Sequence, residues 1–327
     1  MEKSLEMEKD SRHQIEVKAS ALGGLGVFAT TDIPRGTRVI AESALLEINA
    51  DRTAKGIVRA FERLSSPQQR CYLELHEFAS DTFKRAVENE MGQKWQEIPE
   101  LHRKVLAISA ANAFGNVFFL GSRINHSCIP NIHFAYNPML EKETFHAIRD
   151  IAAQEELTIT YIIGGNHTRS QRQAKLDEWG FLCTCPVCED TEQGRKKEKK
   201  RAQMLELDQK LALNIANESW GKSLRLAQNL AAIQKSEGLL TRELSTTYQD
   251  AARLCMMLGD TRMALLWTEK ELEVDRYCVG EDYPDYKRGL QVVARLRAVV
   301  EDSEPVDESI IQWFSQQSSH DERCIIM

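Results

Sequence analysis

Residues 179–188 read Trp-Gly-Phe-Leu-Cys-Thr-Cys-Pro-Val-Cys, which puts Cys183, Cys185 and Cys188 on one short turn. Thiolates are soft ligands, and closely spaced ones on a turn can converge on a single Zn²⁺. Three of them leave a tetrahedral site one ligand short. Cys128, in RINHSCIPN (123–131) between turn-forming residues, is the best candidate to close it. Four thiolates fill the coordination shell and leave no position for water, so the expected zinc is structural. Cys71, Cys255 and Cys278 stand alone and read as buried small hydrophobes.

The rest of the composition narrows the class. The chain has 327 residues, with 42 Lys and Arg against 49 Asp and Glu, a formal charge of −7. That length fits about two domains, and the acidic balance argues against a protein that coats itself on phosphate. Sequence-specific nucleic-acid binding is not expected. The longest apolar runs, such as Val117 to Leu120, fall far short of a membrane span. The N-terminal MEKSLEMEKDSRH is charged throughout and does not read as a secretory signal. A reducing compartment, nucleus or cytoplasm, is the expectation, and there clustered cysteines mean metal or catalysis rather than disulfides.

Outward from the cysteines, the first half reads as mixed α+β. IEVKA (15–19), GVFAT (26–30) and RVIAESALLEI (38–48) are β-branched runs bounded by Gly23, Gly24, Gly26, Pro34 and Gly36. From Lys55 to about Phe114 the spacing turns helical, with Ile57, Phe61 and Leu64 on one face and Val105, Ile108 and Ala111 on another. IHFAY (132–136), ETFHAI (143–148) and ELTITY (156–161) follow as strands, the first two a hairpin across Asn137 and Pro138. Beyond Cys188 the patterns are helical. AARLCMMLGDTRMALLWTEKEL (251–272) reads as helix, turn, helix and resembles a tetratricopeptide hairpin.

The glycine cluster ALGGLGVFA (21–29) permits positive φ and close backbone approach to a ligand, but it lacks the helix that a nucleotide-phosphate fingerprint requires. Taken in order, GLGVFATTDIPRG (24–36), RINHSCIPN (123–131), RDIAAQEELTITY (149–161) and WGFLCTCPVC (179–188) resemble the SET-domain protein lysine methyltransferases. The resemblance runs from about Ile15 to Glu189. The C-terminal helices and the Cys-x-Cys-x2-Cys spacing look most like the SET and MYND subfamily. The insert holds only Cys71, however, so the MYND finger is absent.

The resemblance implies a β-rich SET fold at 15–162 with a helical insert at about 50–110, and a zinc-bound post-SET segment at 163–192. Around these are expected a disordered N-terminus at 1–14, a charged linker at 193–201, an all-helical, repeat-like C-terminal domain at 202–301 and a flexible tail at 302–327. It further implies S-adenosyl-L-methionine as cofactor, with Gly24, Leu25 and Gly26 presenting main-chain groups and Asn125 and His126 binding the amino-acid and adenine parts. Phe181 would stack on adenine, Asn112 would contact the cofactor, and Tyr161 would be the catalytic tyrosine. Cys128, Cys183, Cys185 and Cys188 would hold Zn²⁺. Without the motifs, Tyr161 would be an ordinary half-buried sheet aromatic and His126 a hydrogen-bonded loop histidine; their order reverses that reading.

The implied reaction is N-methylation of lysine in a protein substrate, histone or other. The competing reading is a catalytically weak SET fold that recruits partners through its helices. Two further features stand apart. RKKEKKR (195–201) reads as a solvated linker or helix start before it reads as an import signal. Cys324-Ile325-Ile326-Met327 fits a C-a-a-X prenylation signal, which without a basic patch would give weak membrane association.

Overall fold

The computed structural model describes residues 10–48, 50–302 and 304–316. Short β-branched runs punctuated by Gly and Pro form β1 (Ile15–Ala19), β2 (Leu25–Ala29), β3 (Arg38–Glu42), β4 (Asn125–His126), β5 (Ile132–Asn137), β6 (Lys142–Ala147) and β7 (Glu156–Ile159). They build two sheets, of order β1-β2-β7-β4 and β3-β6-β5. Every pairing is antiparallel except β4 with β7, where Asn125 faces Thr158 and His126 faces Ile159. That parallel contact brings the 123–131 loop against the end of β7. Val27, Val39, Ile40, Phe145, Leu157 and Ile159 form the core beneath it.

The insert is a helical layer whose boundaries follow local capping chemistry. Thr53 caps α1 (Ala54–Glu62) by accepting the Gly56 N–H, a Ser65/Gln68 capping box starts α2 (Ser66–Leu73), and Ser80 caps α3 (Asp81–Met91). Gly92, at φ 70°, ends α3 in the left-handed region that glycine tolerates. Pro99 precedes α4 (Glu100–Asn112). Ile57, Phe61, Tyr72, Val105 and Ile108 share one core, and the Tyr72 hydroxyl donates to the Val105 carbonyl at 2.8 Å.

After β7 come α5 (Arg169–Leu176) and then α6 (Glu192–Ala216), α7 (Trp220–Ser236), α8 (Arg242–Met257), α9 (Thr261–Val279), α10 (Pro284–Glu301) and α11 (Glu308–Gln316). Three segments differ from expectation. The 193–201 stretch is the first part of α6, not a linker, and Arg201 within it is buried. In 302–327, α11 docks with Ile310 and Phe314 buried, because those two residues reach the helical core that the charged flanks conceal. Within 1–14, Asp10 accepts the Ala41 N–H and fastens residues 10–14 to β3. Cys324 lies outside the described residues. Of the solitary cysteines, Cys255 and Cys278 are fully buried and Cys71 is half-buried.

The helical domain packs on the second sheet through α9, burying Ile148 and Ala135 with its own core. This contact encloses charge. Arg38 pairs with Asp282, and His133 and His146 face each other across β5 and β6. His133 Nε2 and His146 Nδ1 are shut away without a partner. Burial pushes both imidazoles down to about 3, aided by Arg242 at His133 and by Arg38 at His146. An unfolded His titrates near 6.5, so the unfolded chain takes up these protons first as pH falls. Stability from the pair is therefore complete above about pH 6.5 and is lost progressively toward pH 3. Between pH 7.5 and 5 the pair should cost about 2–4 kcal/mol of stability, set against the opposite change at buried Glu143, whose carboxyl is pushed up to about 8 and gains as pH falls. Acidification should cost His146→Gln less stability than it costs the wild type; identical pH dependence of the two thermal midpoints contradicts this account.

Candidate active site

Where β4 meets β7, the chain leaves β7 through Thr160 and Tyr161. The Tyr161 N–H donates to His126 Nδ1 at 3.0 Å, and its hydroxyl donates to the Ile124 carbonyl at 2.8 Å. Tyr161 is thereby held at both ends. Burial first, and the charge of Glu156 second, push its phenol above the ordinary range, so it stays protonated near neutral pH. Its ring borders a cavity of about 30 Å³. Phe114, Phe134 and Trp179 also line it, beside small and polar residues that include Asn112, Gly121, Ser122 and Thr160.

Because Nδ1 accepts from Tyr161, the neutral His126 ring carries its proton on Nε2, which faces Cys128 Sγ at 3.3 Å. Burial, with Arg172 nearby, brings this imidazole down to about 4. Both ring nitrogens are spent inside the protein, so only the main chain of His126 is left for a ligand. Its neighbour Asn125 donates to the Leu25 carbonyl at 3.1 Å and to Glu156 at 2.7 Å, which ties the glycine turn to β4.

Gly23 and Gly24 have φ of 121° and 59°, and the space where their side chains would project is open. Gly26 is different: a Cβ there would overlap Glu156 and Ser20, so packing alone demands glycine. The turn thus offers an accessible main-chain edge beside Asn125. Asn112 spends its amide nitrogen on the carbonyls of His76 and Ile108, both at 2.7 Å.

Phe181 closes the opposite side, with ring centres 6.0 Å from His126 and 6.2 Å from Tyr161. It is held by Gln173 on α5, whose Nε2 donates to the Phe181 carbonyl while its Oε1 accepts the Cys183 N–H. One amide therefore fixes both the aromatic residue and the first cysteine of the cluster.

Cys128, Cys183, Cys185 and Cys188 are all buried, and their sulfurs lie within 4.8 Å of one another. Cys128 Sγ is 3.9 Å from that of Cys183 and 3.6 Å from that of Cys188. A tetrahedral site with Zn–S bonds near 2.3 Å separates its sulfurs by about 3.8 Å. The four residues fit a structural zinc ion in number, chemistry and spacing.

The fold brings every described residue of the expected site into this region, and adds several that carried no sequence signal. Glu156 accepts from both Ser20 and Asn125. Glu42, at the end of β3, accepts the N–H groups of Phe119, Leu120 and Gly121 and shapes the turn that presents Ile124 to Tyr161. Removing the carboxylate strands several backbone donors at about 1–3 kcal/mol each. Glu42→Ala should therefore lower the thermal midpoint by roughly 10 °C; a change of a degree or two would contradict that role.

The SET domain family matches residues 24–162. The "Histone-lysine N-methyltransferase set5" of Schizosaccharomyces pombe is 32% identical over 278 residues, covering 84% of this chain and 82% of that protein. A "Putative SET domain-containing protein L678" of Acanthamoeba polyphaga mimivirus is 25% identical over 189 residues, 50% of this chain and 73% of its own. Among solved structures, "Crystal structure of the SET domain of LSMT bound to Lysine and AdoHcy" aligns over 91% of both chains at 15% identity with a TM-score of 0.38, a likeness too loose to bear on any residue.

Proposed function

The chain belongs to the SET-domain family, and from that membership we propose that it is an S-adenosyl-L-methionine-dependent protein-lysine N-methyltransferase acting on histone or other protein lysines. The observation that carries the reading is the doubly anchored Tyr161 on the wall of a partly aromatic cavity. The open edge at Gly24 and Leu25, with Gly26 packed behind it, Asn125, the main chain of His126 and the face of Phe181 suit the cofactor, and Asn112 borders the cavity from the insert side. S-adenosyl-L-methionine supplies a methyl group on a positively charged sulfur.

The chain must do the rest, which is alignment and control of one proton. A free lysine amine titrates near 10.4, so presenting it neutral at pH 7 costs about 4.6 kcal/mol. Desolvation against Phe114, Phe134 and Ile159, with the like charge of the cofactor's sulfonium, would disfavour the ammonium and lower that cost. With its proton committed to the Ile124 carbonyl, the Tyr161 oxygen keeps lone pairs to orient the amine and to hold the methyl by weak CH···O contacts. Its raised pKa suits it to positioning and not to removing a proton.

In this reading Cys128, Cys183, Cys185 and Cys188 hold a structural Zn²⁺ that fastens the post-SET segment, and the helical hairpins form a repeat-like, TPR-like domain. The chain would work in the nucleus or cytoplasm, with weak membrane association only if Cys324 is prenylated. Incubation of the purified chain with methyl-labelled S-adenosyl-L-methionine, a histone panel and cell lysate tests the proposal. Label on protein is expected; cofactor binding without transfer would favour a recruiting, catalytically weak SET fold.

A further inference from the structure

Among the described residues, Arg172 and Arg201 are the two largest side chains that the fold buries completely, at 0% and 1% exposure. A buried guanidinium needs a compensating charge nearby. Arg172, on α5, donates to Cys188 Sγ at 3.3 Å and to the His167 carbonyl, and lies 3.5 Å from Glu198. Glu198 is only part of the answer, since its side chain is 30% exposed and also accepts the Arg169 N–H. Arg201, on α6, donates to the carbonyls of Gly165 and Cys128 and forms no ion pair among the described residues, and the charges that favour it are those of Glu243, then Cys128 and Cys185.

Two positive groups thus press on one side of the cysteine cluster, one touching a ligand sulfur and the other a ligand's carbonyl. A divalent cation with four thiolates carries a net charge of −2. The two guanidiniums match that charge, whereas four neutral thiols would leave them only the partly exposed Glu198 and the charge of Glu243, which forms no ion pair with Arg201. Glu243, on α8, accepts the N–H groups of Gly164 and Gly165 and holds the loop between them and Tyr161.

We infer that Arg172 and Arg201 are the counter-charges of the four-sulfur centre, so that the helical domain, through Arg201, sets the metal affinity of the catalytic half. The inference rests on the zinc reading above, and its test separates the two. Metal content of the full chain is measured first by elemental mass spectrometry, then zinc affinity by competition with a chromogenic chelator, on protein shown folded by far-UV circular dichroism.

One zinc per wild-type chain is expected; none would overturn the centre and the inference together. Arg172→Met and Arg201→Met should each bind zinc about 10–100-fold more weakly, the usual effect of removing an outer-shell partner. Arg201→Lys, which keeps the charge, should stay within about threefold of wild type. Glu198→Gln, a partly exposed change that frees Arg172 for the sulfur, should bind zinc at least as tightly as wild type. Zinc-loaded Met variants with unchanged affinity would overturn the counter-charge role alone, as would a Lys variant as weak as Arg201→Met or a weakened Glu198→Gln.

Discussion

Replacing Tyr161 by Phe should lower the rate of methyl transfer by at least about 100-fold while leaving S-adenosyl-L-methionine affinity within about threefold. The ring remains in its packed place against Trp179, Phe181 and His126, so the walls of the site persist. What is lost is one oxygen: the acceptor that orients the incoming amine, and the donor that satisfies the Ile124 carbonyl. The second loss costs about 1 kcal/mol of stability and does not account for a hundredfold rate effect. Initial rates with saturating cofactor, beside calorimetric binding, separate the two. An unchanged rate would remove Tyr161 from the mechanism.

With zinc on the four cysteines as proposed, its removal should weaken S-adenosyl-L-methionine binding at least about tenfold and loosen the segment from Gly164 to Glu189. In zinc-finger peptides structural zinc contributes about 10–16 kcal/mol of binding free energy at pH 7. Two routes carry the loss to the cofactor site. Gln173 links Cys183 to Phe181 through one side-chain amide, and the His126 ring links Cys128 to the Tyr161 backbone. Chelation, or Cys185→Ser, should therefore blunt cofactor binding as well as stability. Intact affinity by calorimetry after complete metal removal would show that the centre and the site are uncoupled.

What the residues reveal in order and what they conceal follow from the range of the forces involved. β1, β2 and β3 are legible because glycine and proline interrupt β-branched runs, and the insert helices because Thr53, Ser65, Ser80 and Pro99 mark their starts. The cysteine cluster is legible for Cys183, Cys185 and Cys188 by spacing alone. Cys128 joins it through the parallel contact of β4 with β7, a tertiary event. Arg172 and Arg201 lie in strongly polar stretches, and their burial depends on partners distant in sequence: Cys188 and Glu198 for Arg172, the carbonyls of Gly165 and Cys128 for Arg201. His126 is similar: its motif marks it for a ligand, yet its ring faces inward, to Tyr161 and Cys128. No local pattern encodes that orientation.

The claim at the centre is that a lysine amine meets the cofactor methyl beside Tyr161. Its most direct test is mass spectrometry of protein substrates treated with the wild-type chain and with Tyr161→Phe, using S-adenosyl-L-methionine that carries a heavy-isotope methyl. The account predicts heavy methyl on lysine side chains with the wild type and almost none with the variant. Heavy methyl on another residue type, or equal lysine labelling by both proteins, would contradict it.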